Sequence, residues 1–132
     1  MSKLRVGLRG RAELVVGTND TAPRIGSGRI AVLATPVMIS LFEAAALDAA
    51  EHLLEEGKQS LGTRLDVSHI AATPVGMRVT ATAELVAING RHLKFAVRAE
   101  DEWELIGEGT HQRVVVDVER FADRIRRKTR SP

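Results

Sequence analysis

Between Thr35 and Gly57 the chain reads TPVMISLFEAAALDAAEHLLEEG, a helical stretch with almost no polar face in its first two turns. Threonine followed by proline is a helix start. An N-cap residue comes first, then proline at a position where the missing N–H would be unpaired anyway. Gly57 is a natural stop. The spacing predicts a helix from Thr35-Pro36 to about Glu56, with Asp48, Glu51, His52, Glu55 and Glu56 as its solvent stripe. Val37 to Phe42 is apolar nearly all round, and alanine and leucine fill most of the positions from Ala44 to Leu54. A helix of that kind is buried on several sides, so the rest of the chain must wrap it.

The rest reads mainly as strand. Residues 11–16 predict a short strand, followed by a loop from Gly17 to Arg29 rich in Thr, Asn, Asp, Gly, Ser and Pro. After Gly57, residues 61–73 alternate and place Leu65, Val67, His69 and Ala71 on one side. Thr73-Pro74-Val75-Gly76 is a turn, and residues 77–88 alternate again. Asn89-Gly90 is the strongest hairpin signal, and Leu93, Phe95, Val97 and Ala99 form the apolar side of the strand after it. Glu100-Asp101-Glu102 turns the chain into a long last strand over residues 104–118, and residues 120–129 read as a short basic helix. Four consecutive strands joined by tight turns must be antiparallel. The expected fold is α+β, an antiparallel β-sheet wrapped around one long central helix, in a single domain over residues 1–132. Such a layer leaves part of the helix and one sheet edge uncovered, which predicts a homodimer or a higher homo-oligomer.

Composition narrows the chemistry. With 44% hydrophobic and 27% charged residues, 132 residues can form a core without staples. There is no cysteine, which excludes a disulfide scaffold and fits a reducing, cytoplasmic setting. No apolar run approaches a membrane span, and Met1 to Arg11 lacks the apolar segment of a signal peptide, so no membrane partner is expected. The net charge of +2 hides a basic tail: residues 120–132 carry six basic side chains and one acidic. A charge run is usually a solvated helix end, and aromatics are only 3% of the chain, too few for stacking on single strands; no nucleic-acid partner is expected. Gly26-Ser27-Gly28 is too short for a phosphate loop. HExxH, paired-histidine and GxSxG patterns are missing, so neither a metal nor a serine-hydrolase elbow is indicated.

Four residues do not fit a purely structural role. Glu43 lies roughly 150° around the helix from the acidic stripe, among Ile39, Ala46, Leu47 and Ala50. A carboxylate there is expected to be buried, and must be paired, hydrogen-bonded or protonated. It is either a functional acid or a structural carboxylate at an interface. His69 shares the apolar side of its strand with Leu65 and Val67 and so faces the helix. An inward acid and an inward imidazole on facing elements form a general acid/base pair, or a base and its orienter. Thr35 is either the helix cap or a hydroxyl that a substrate bridges to Glu43, two turns and roughly 12 Å away along the axis. Arg113 shares a strand face with Gly107, Gly109, His111 and Val115, where glycines allow close approach. It either serves a site or buries its stem and keeps its head in water.

Three blocks of the sequence resemble one family. The segment Gly62-Thr63 through Val67-Ser68-His69-Ile70-Ala71-Ala72-Thr73-Pro74-Val75-Gly76 is similar to that of fluoroacetyl-CoA-thioesterase-like proteins. So are the pairing of Thr35 with Glu43 eight residues later, and the run Gly107-Glu108-Gly109-Thr110-His111-Gln112-Arg113. The resemblance covers about residues 30 to 129. It implies a hotdog fold and hydrolysis of an acyl-CoA thioester, with coenzyme A as part of the substrate and no separate cofactor. It also implies Thr35, Glu43 and His69 as the catalytic set, Gly62 close to the thioester carbonyl, Arg113 near the site, and active sites at a dimer interface. Residues 17–34 depart from the pattern: they hold no aromatic, where the fluoroacetyl-selective type carries bulky ones, so the acyl group, small or medium, stays open. Glu43 would act as nucleophile or as base for water, His69 would transfer protons, and Thr35 would orient the substrate or attack. Two other readings remain. A hotdog enoyl-CoA hydratase or dehydratase would need a close Asp/His pair, but Asp66 and His69 face opposite sides of a strand. A non-catalytic acyl-CoA-binding protein would use the basic tail elsewhere.

Overall fold

The structure is a computed structural model and describes residues 3–129. Five strands, β1 (Arg9–Val15), β2 (Lys58–His69), β3 (Arg78–Asn89), β4 (His92–Glu100) and β5 (Leu105–Asp117), form one antiparallel sheet in the order β1-β3-β4-β5-β2. Among the described residues there are three α-helices: α1 (Ala22–Ile25), α2 (Thr35–Ala50) and α3 (Val118–Thr129). The sheet curls around α2, as the apolar helix required.

Alternation places the core. On β3 the buried side chains are Val79, Ala81, Ala83 and Leu85; on β4 they are Leu93, Phe95, Val97 and Ala99. Asn89 pairs with His92 across Gly90, which takes the left-handed conformation (φ +62°) that the hairpin demands. From α2, Met38, Phe42, Ala45 and Ala49 meet this surface. Burying a side chain such as Phe42 or Leu85 contributes about 1.5–3 kcal/mol each, so the hairpin and helix form one cooperative unit. Small residues bring the layers close: any side chain at Gly10 of β1 would strike the α2 backbone at Ala45 and Ala49.

The structure corrects several local expectations. α2 stops at Ala50 and gives way to a 3-10 turn over Glu51–Leu53, short of Glu56. The cap position belongs to Ala34, with no side-chain cap; Thr35 is the first helical residue, and its hydroxyl is used elsewhere. The segment expected as loop holds a 3-10 turn (Thr18–Asp20) and α1, and bridges between Thr21 and Leu33 and between Val32 and Pro74 tie it across the start of α2. α3 begins at Val118, earlier than expected, and none of its described residues is buried. It borders a groove of about 610 Å³ edged by Lys58, Arg91, Arg120, Arg124 and Lys128; Arg130 of the basic tail lies outside the described residues. Among the described residues no helix is long and apolar enough to cross a membrane.

Both sheet edges bear on the site. β1 is partly closed by Asp48, whose carboxylate accepts the Arg11 backbone N–H at 2.9 Å. β2 has a neighbour on one side only, and Leu61 and Ile70 are exposed on it or beside it. The α2 stripe that carries Glu43 and Leu47 is likewise open.

Candidate active site

Two constellations occupy the sequence-singled residues. At the start of α2, the Thr35 hydroxyl lies 2.8 Å from Nδ1 of His69, the last residue of β2. His69 is half-buried, and its Nε2 is shielded from solvent with no hydrogen-bond partner. Burial holds the His69 pKa below its ordinary value, and a contact with the Ala71 backbone offsets part of that. The ring and the hydroxyl open on a cavity of about 310 Å³ walled by Ala22, Val32, Leu33, Ile70 and Ala72. The other walls are small or aliphatic, Ser27 among them, so the recess is compact and carries both polar and apolar surface.

The second constellation sits at the middle and end of α2. Arg113, on β5, is 5% exposed, so its head is not in water. Its Nε donates to Ser60 Oγ at 2.8 Å and its Nη2 to the Ser60 carbonyl at 3.1 Å. Its Nη1 donates to His111 Nε2 at 3.0 Å and approaches Glu43 Oε2 at 3.4 Å. A guanidinium only donates, so His111 must accept at Nε2 and carry its proton on Nδ1. Nδ1 lies 2.9 Å from the Arg64 carbonyl, where that proton is given. His111 is therefore neutral, fully buried, and stacked on Phe95 at 6.3 Å between ring centroids. Burial is the main cause of its lowered pKa, and the Arg113 charge adds to it, against the Arg64 carbonyl and Glu43.

Gly62 pairs with Arg113 across the β2–β5 ladder, and β2 bulges just after it. A Cβ on Gly62 would lie 2.5 Å from Glu43 Oε2 and 3.1 Å from the His111 ring. The glycine is what lets the helix carboxylate rest on the strand. Glu43 is more open than expected: its side chain is 39% exposed, and Leu47 beside it is exposed too.

The expectations thus divide. Thr35 and His69 come together, and so do Glu43, Gly62 and Arg113. Within the chain, Glu43 is hydrogen-bonded to Arg113 and not to His69. Gly107 serves packing, since a Cβ there would strike Met38 and the Ser68 carbonyl. Asp66 is exposed on the other face of β2 from His69, as alternation requires. Three contributors went unread: His111, which alternation places beside Arg113; Ser60; and Glu51. Glu51 was assigned to the solvent stripe, but the change from α to 3-10 geometry at Ala50 turns it onto Ser60, where it accepts from the backbone N–H at 2.8 Å and from Oγ at 2.6 Å.

Known proteins share this arrangement of elements. A family model described as fluoroacetyl-CoA-specific thioesterase matches residues 16–119. A fluoroacetyl-CoA thioesterase from Streptantibioticus cattleyicolor is 47% identical over 98 residues, covering 74% of this chain and 70% of that protein. A solved structure of the fluoroacetyl-CoA thioesterase FlK superposes with a TM-score of 0.90 at 40% identity, over 96% of this chain and 98% of that one. A hot-dog-like protein from Thermanaerovibrio acidaminovorans, 23% identical, shares the fold with a TM-score of 0.88 over 98% of this chain and 96% of its own.

Proposed function

The chain belongs to the fluoroacetyl-CoA-specific thioesterase family, and from that premise we propose that it hydrolyses a small or medium acyl-CoA thioester with Thr35, Glu43 and His69 as its catalytic set. It is a hotdog-fold acyl-CoA thioesterase, a thioester hydrolase. One observation carries the assignment of residues. The buried Nε2 of His69 has no partner, while Nδ1 is held by a hydroxyl beside a cavity. A buried polar atom left unpaired is costly, and a substrate or water that meets it recovers that cost.

Hydrolysis forms a bond from oxygen to the acyl carbon and breaks the carbon–sulfur bond, with a proton delivered to the departing thiolate. Glu43 supplies the attacking oxygen itself or takes the proton of a water that attacks. It suits either role because it is half-open and in only distant contact with Arg113. In the general-base route the proton that Glu43 takes from water passes through His69, kept neutral by burial, to the departing thiolate; in the nucleophilic route His69 takes the proton of the water that cleaves the Glu43–acyl anhydride and gives it to the thiolate. Thr35 fixes the imidazole through Nδ1. Gly62 leaves room for the thioester carbonyl beside Glu43, and Arg113 supplies positive charge there. Coenzyme A enters as part of the substrate.

Thr35 and Glu43 are two turns apart on α2, so the set closes best across a homodimer. The free edge of β2 supports this reading. Antiparallel pairing of two β2 strands sets the Thr35–His69 end of one subunit against the Ser60–Gly62 end of the other. The compact recess by His69 supports a small or medium acyl group.

The test is free-thiol release across a panel of acyl-CoAs, with Glu43→Gln alongside. The variant should keep its fold and lose at least about 100-fold in kcat. Near-normal turnover on the best substrate removes Glu43 from the mechanism. Label found in the Glu43 carboxylate after a single turnover in isotopically labelled water establishes the nucleophilic route, in which water cleaves the Glu43–acyl anhydride on the Glu43 side.

A further inference from the structure

We infer that Ser60 and Glu51 are positioning residues for this hydrolysis: they hold Arg113 back from Glu43 and so keep the carboxylate free to react. The inference rests on the catalytic role proposed for Glu43. Its observations are the contacts that close a loop from α2 back to α2. Glu51, in the 3-10 turn at the end of the helix, accepts the Ser60 hydroxyl proton at 2.6 Å. The hydroxyl has one proton, so its remaining capacity toward Arg113 is as acceptor, and it takes Nε–H at 2.8 Å. Arg113 then reaches Glu43, on α2 eight residues before Glu51 in the chain.

The distances within the loop are unequal, and the inequality has chemical meaning. Arg113 lies at 2.8 and 3.1 Å from Ser60 and 3.0 Å from His111, but at 3.4 Å from Glu43. A buried arginine left to itself closes on a carboxylate in a short, two-pronged pair. Here neutral acceptors hold it instead, and its Nε edge is turned to Ser60. A carboxylate clamped by two N–H groups is a poor nucleophile and a poor base; one touched at 3.4 Å is available. Ser60 is 6% exposed, so water does not readily substitute for its hydroxyl. Glu51 also accepts the Ser60 backbone N–H at 2.8 Å, which fixes the strand against the helix end.

Ser60→Ala removes the anchor, Glu51→Gln removes the charge that orients it, and Ser60→Thr restores the hydroxyl. For Ser60→Ala, kcat should fall about 10-fold or more with KM within about twofold of wild type; Glu51→Gln should move the same way by about 3-fold, and Ser60→Thr should recover most of the loss. A purely structural defect would not spare KM or be rescued by the hydroxyl. The Arg113 Nε–H resonance in a nitrogen-15 spectrum reads the geometry without turnover. It should be slow to exchange in wild type and fast or strongly shifted in Ser60→Ala and Glu51→Gln. An unchanged resonance, or kcat within twofold of wild type in both variants, overturns the inference. If Ser60→Ala does not fold, Glu51→Gln alone decides, because Glu51 lies outside the core. If wild type releases no thiol from any acyl-CoA, the thioesterase reading fails, and the resonance still judges whether Ser60 and Glu51 hold Arg113.

Discussion

The carboxylate of Glu43 rests on the backbone of Gly62, with no room between them for even one methyl group: a Cβ there would come within 2.5 Å of Oε2. Gly62 does not take a positive φ, so alanine suits its backbone; the hard clash falls on the far end of the flexible Glu43 side chain, and the buried His111 ring, 3.1 Å from the new Cβ, must give by a few tenths of an ångström. Gly62→Ala should therefore lower the melting temperature only modestly, through the small shift asked of the His111 ring, while pushing the Glu43 carboxylate off its place on the strand. We expect kcat/KM to fall by about 10- to 100-fold, a transition-state loss of about 1.4–2.8 kcal/mol. Thermal unfolding and thiol release on one preparation check both halves.

The Thr35 hydroxyl is bound to His69 and not to the helix end, which makes two substitutions informative. Thr35→Ser keeps the hydroxyl and should retain most activity. Thr35→Val keeps the shape and loses the bond, and should cost about 10-fold or more in kcat, because the imidazole is no longer fixed. Since Thr35 is exposed and caps nothing, both should unfold within about 0.5 kcal/mol of wild type in urea. A large stability loss in Thr35→Val would return the residue to a structural role.

Periodicity accounts for how much of this was legible. The helix, the four alternating strands and the Asn89-Gly90 hairpin follow from local spacing, because each element must hide one face. Glu43 and His69 stood out for the same reason, as ionisable groups at apolar positions. What stayed hidden depends on register and packing. That Gly62 faces Arg113, with Ser60 two residues earlier, is set by the β2–β5 ladder and its bulge, which no local pattern encodes. Glu51 was misread because a helix wheel assumes one geometry throughout, and the chain changes geometry at Ala50. Within one chain Glu43 reaches Arg113 and not His69, because Glu43 and Thr35, the residue that holds His69, stand eight residues apart along α2, a separation that strand alternation does not report.

Both buried imidazoles make stability depend on pH in one direction. His69 and His111 have folded pKa values below the ordinary 6.5 that they regain on unfolding. A depressed folded value means that the unfolded chain binds more protons at mildly acidic pH. The stabilisation is therefore complete above 6.5 and is lost as pH falls below it toward the folded values. Each group contributes a slope of at most about 1.4 kcal/mol per pH unit in that window. Urea unfolding between neutral pH and the acid side should show the decline. His111→Gln, whose amide oxygen can still accept from Arg113, should flatten it.

Arg113 should be the least replaceable residue of the site. It satisfies Ser60 twice, His111 once and Glu43 once from a single planar group that is almost fully buried. Arg113→Lys keeps the charge, but an ammonium is a compact donor that cannot span acceptors on β2, β5 and α2 together. At least one of the buried Ser60 carbonyl and His111 Nε2 is then left unpaired, or Glu43 loses its partner. We expect a stability loss of about 2–4 kcal/mol, in the range for breaking a buried charged network. Activity should fall further than stability alone explains, because the freed ammonium can settle directly on Glu43. Urea unfolding and thiol release at a temperature where the variant is fully folded separate the two effects. Turnover equal to wild type under those conditions would show that the guanidinium holds the fold together and takes no part in preparing Glu43.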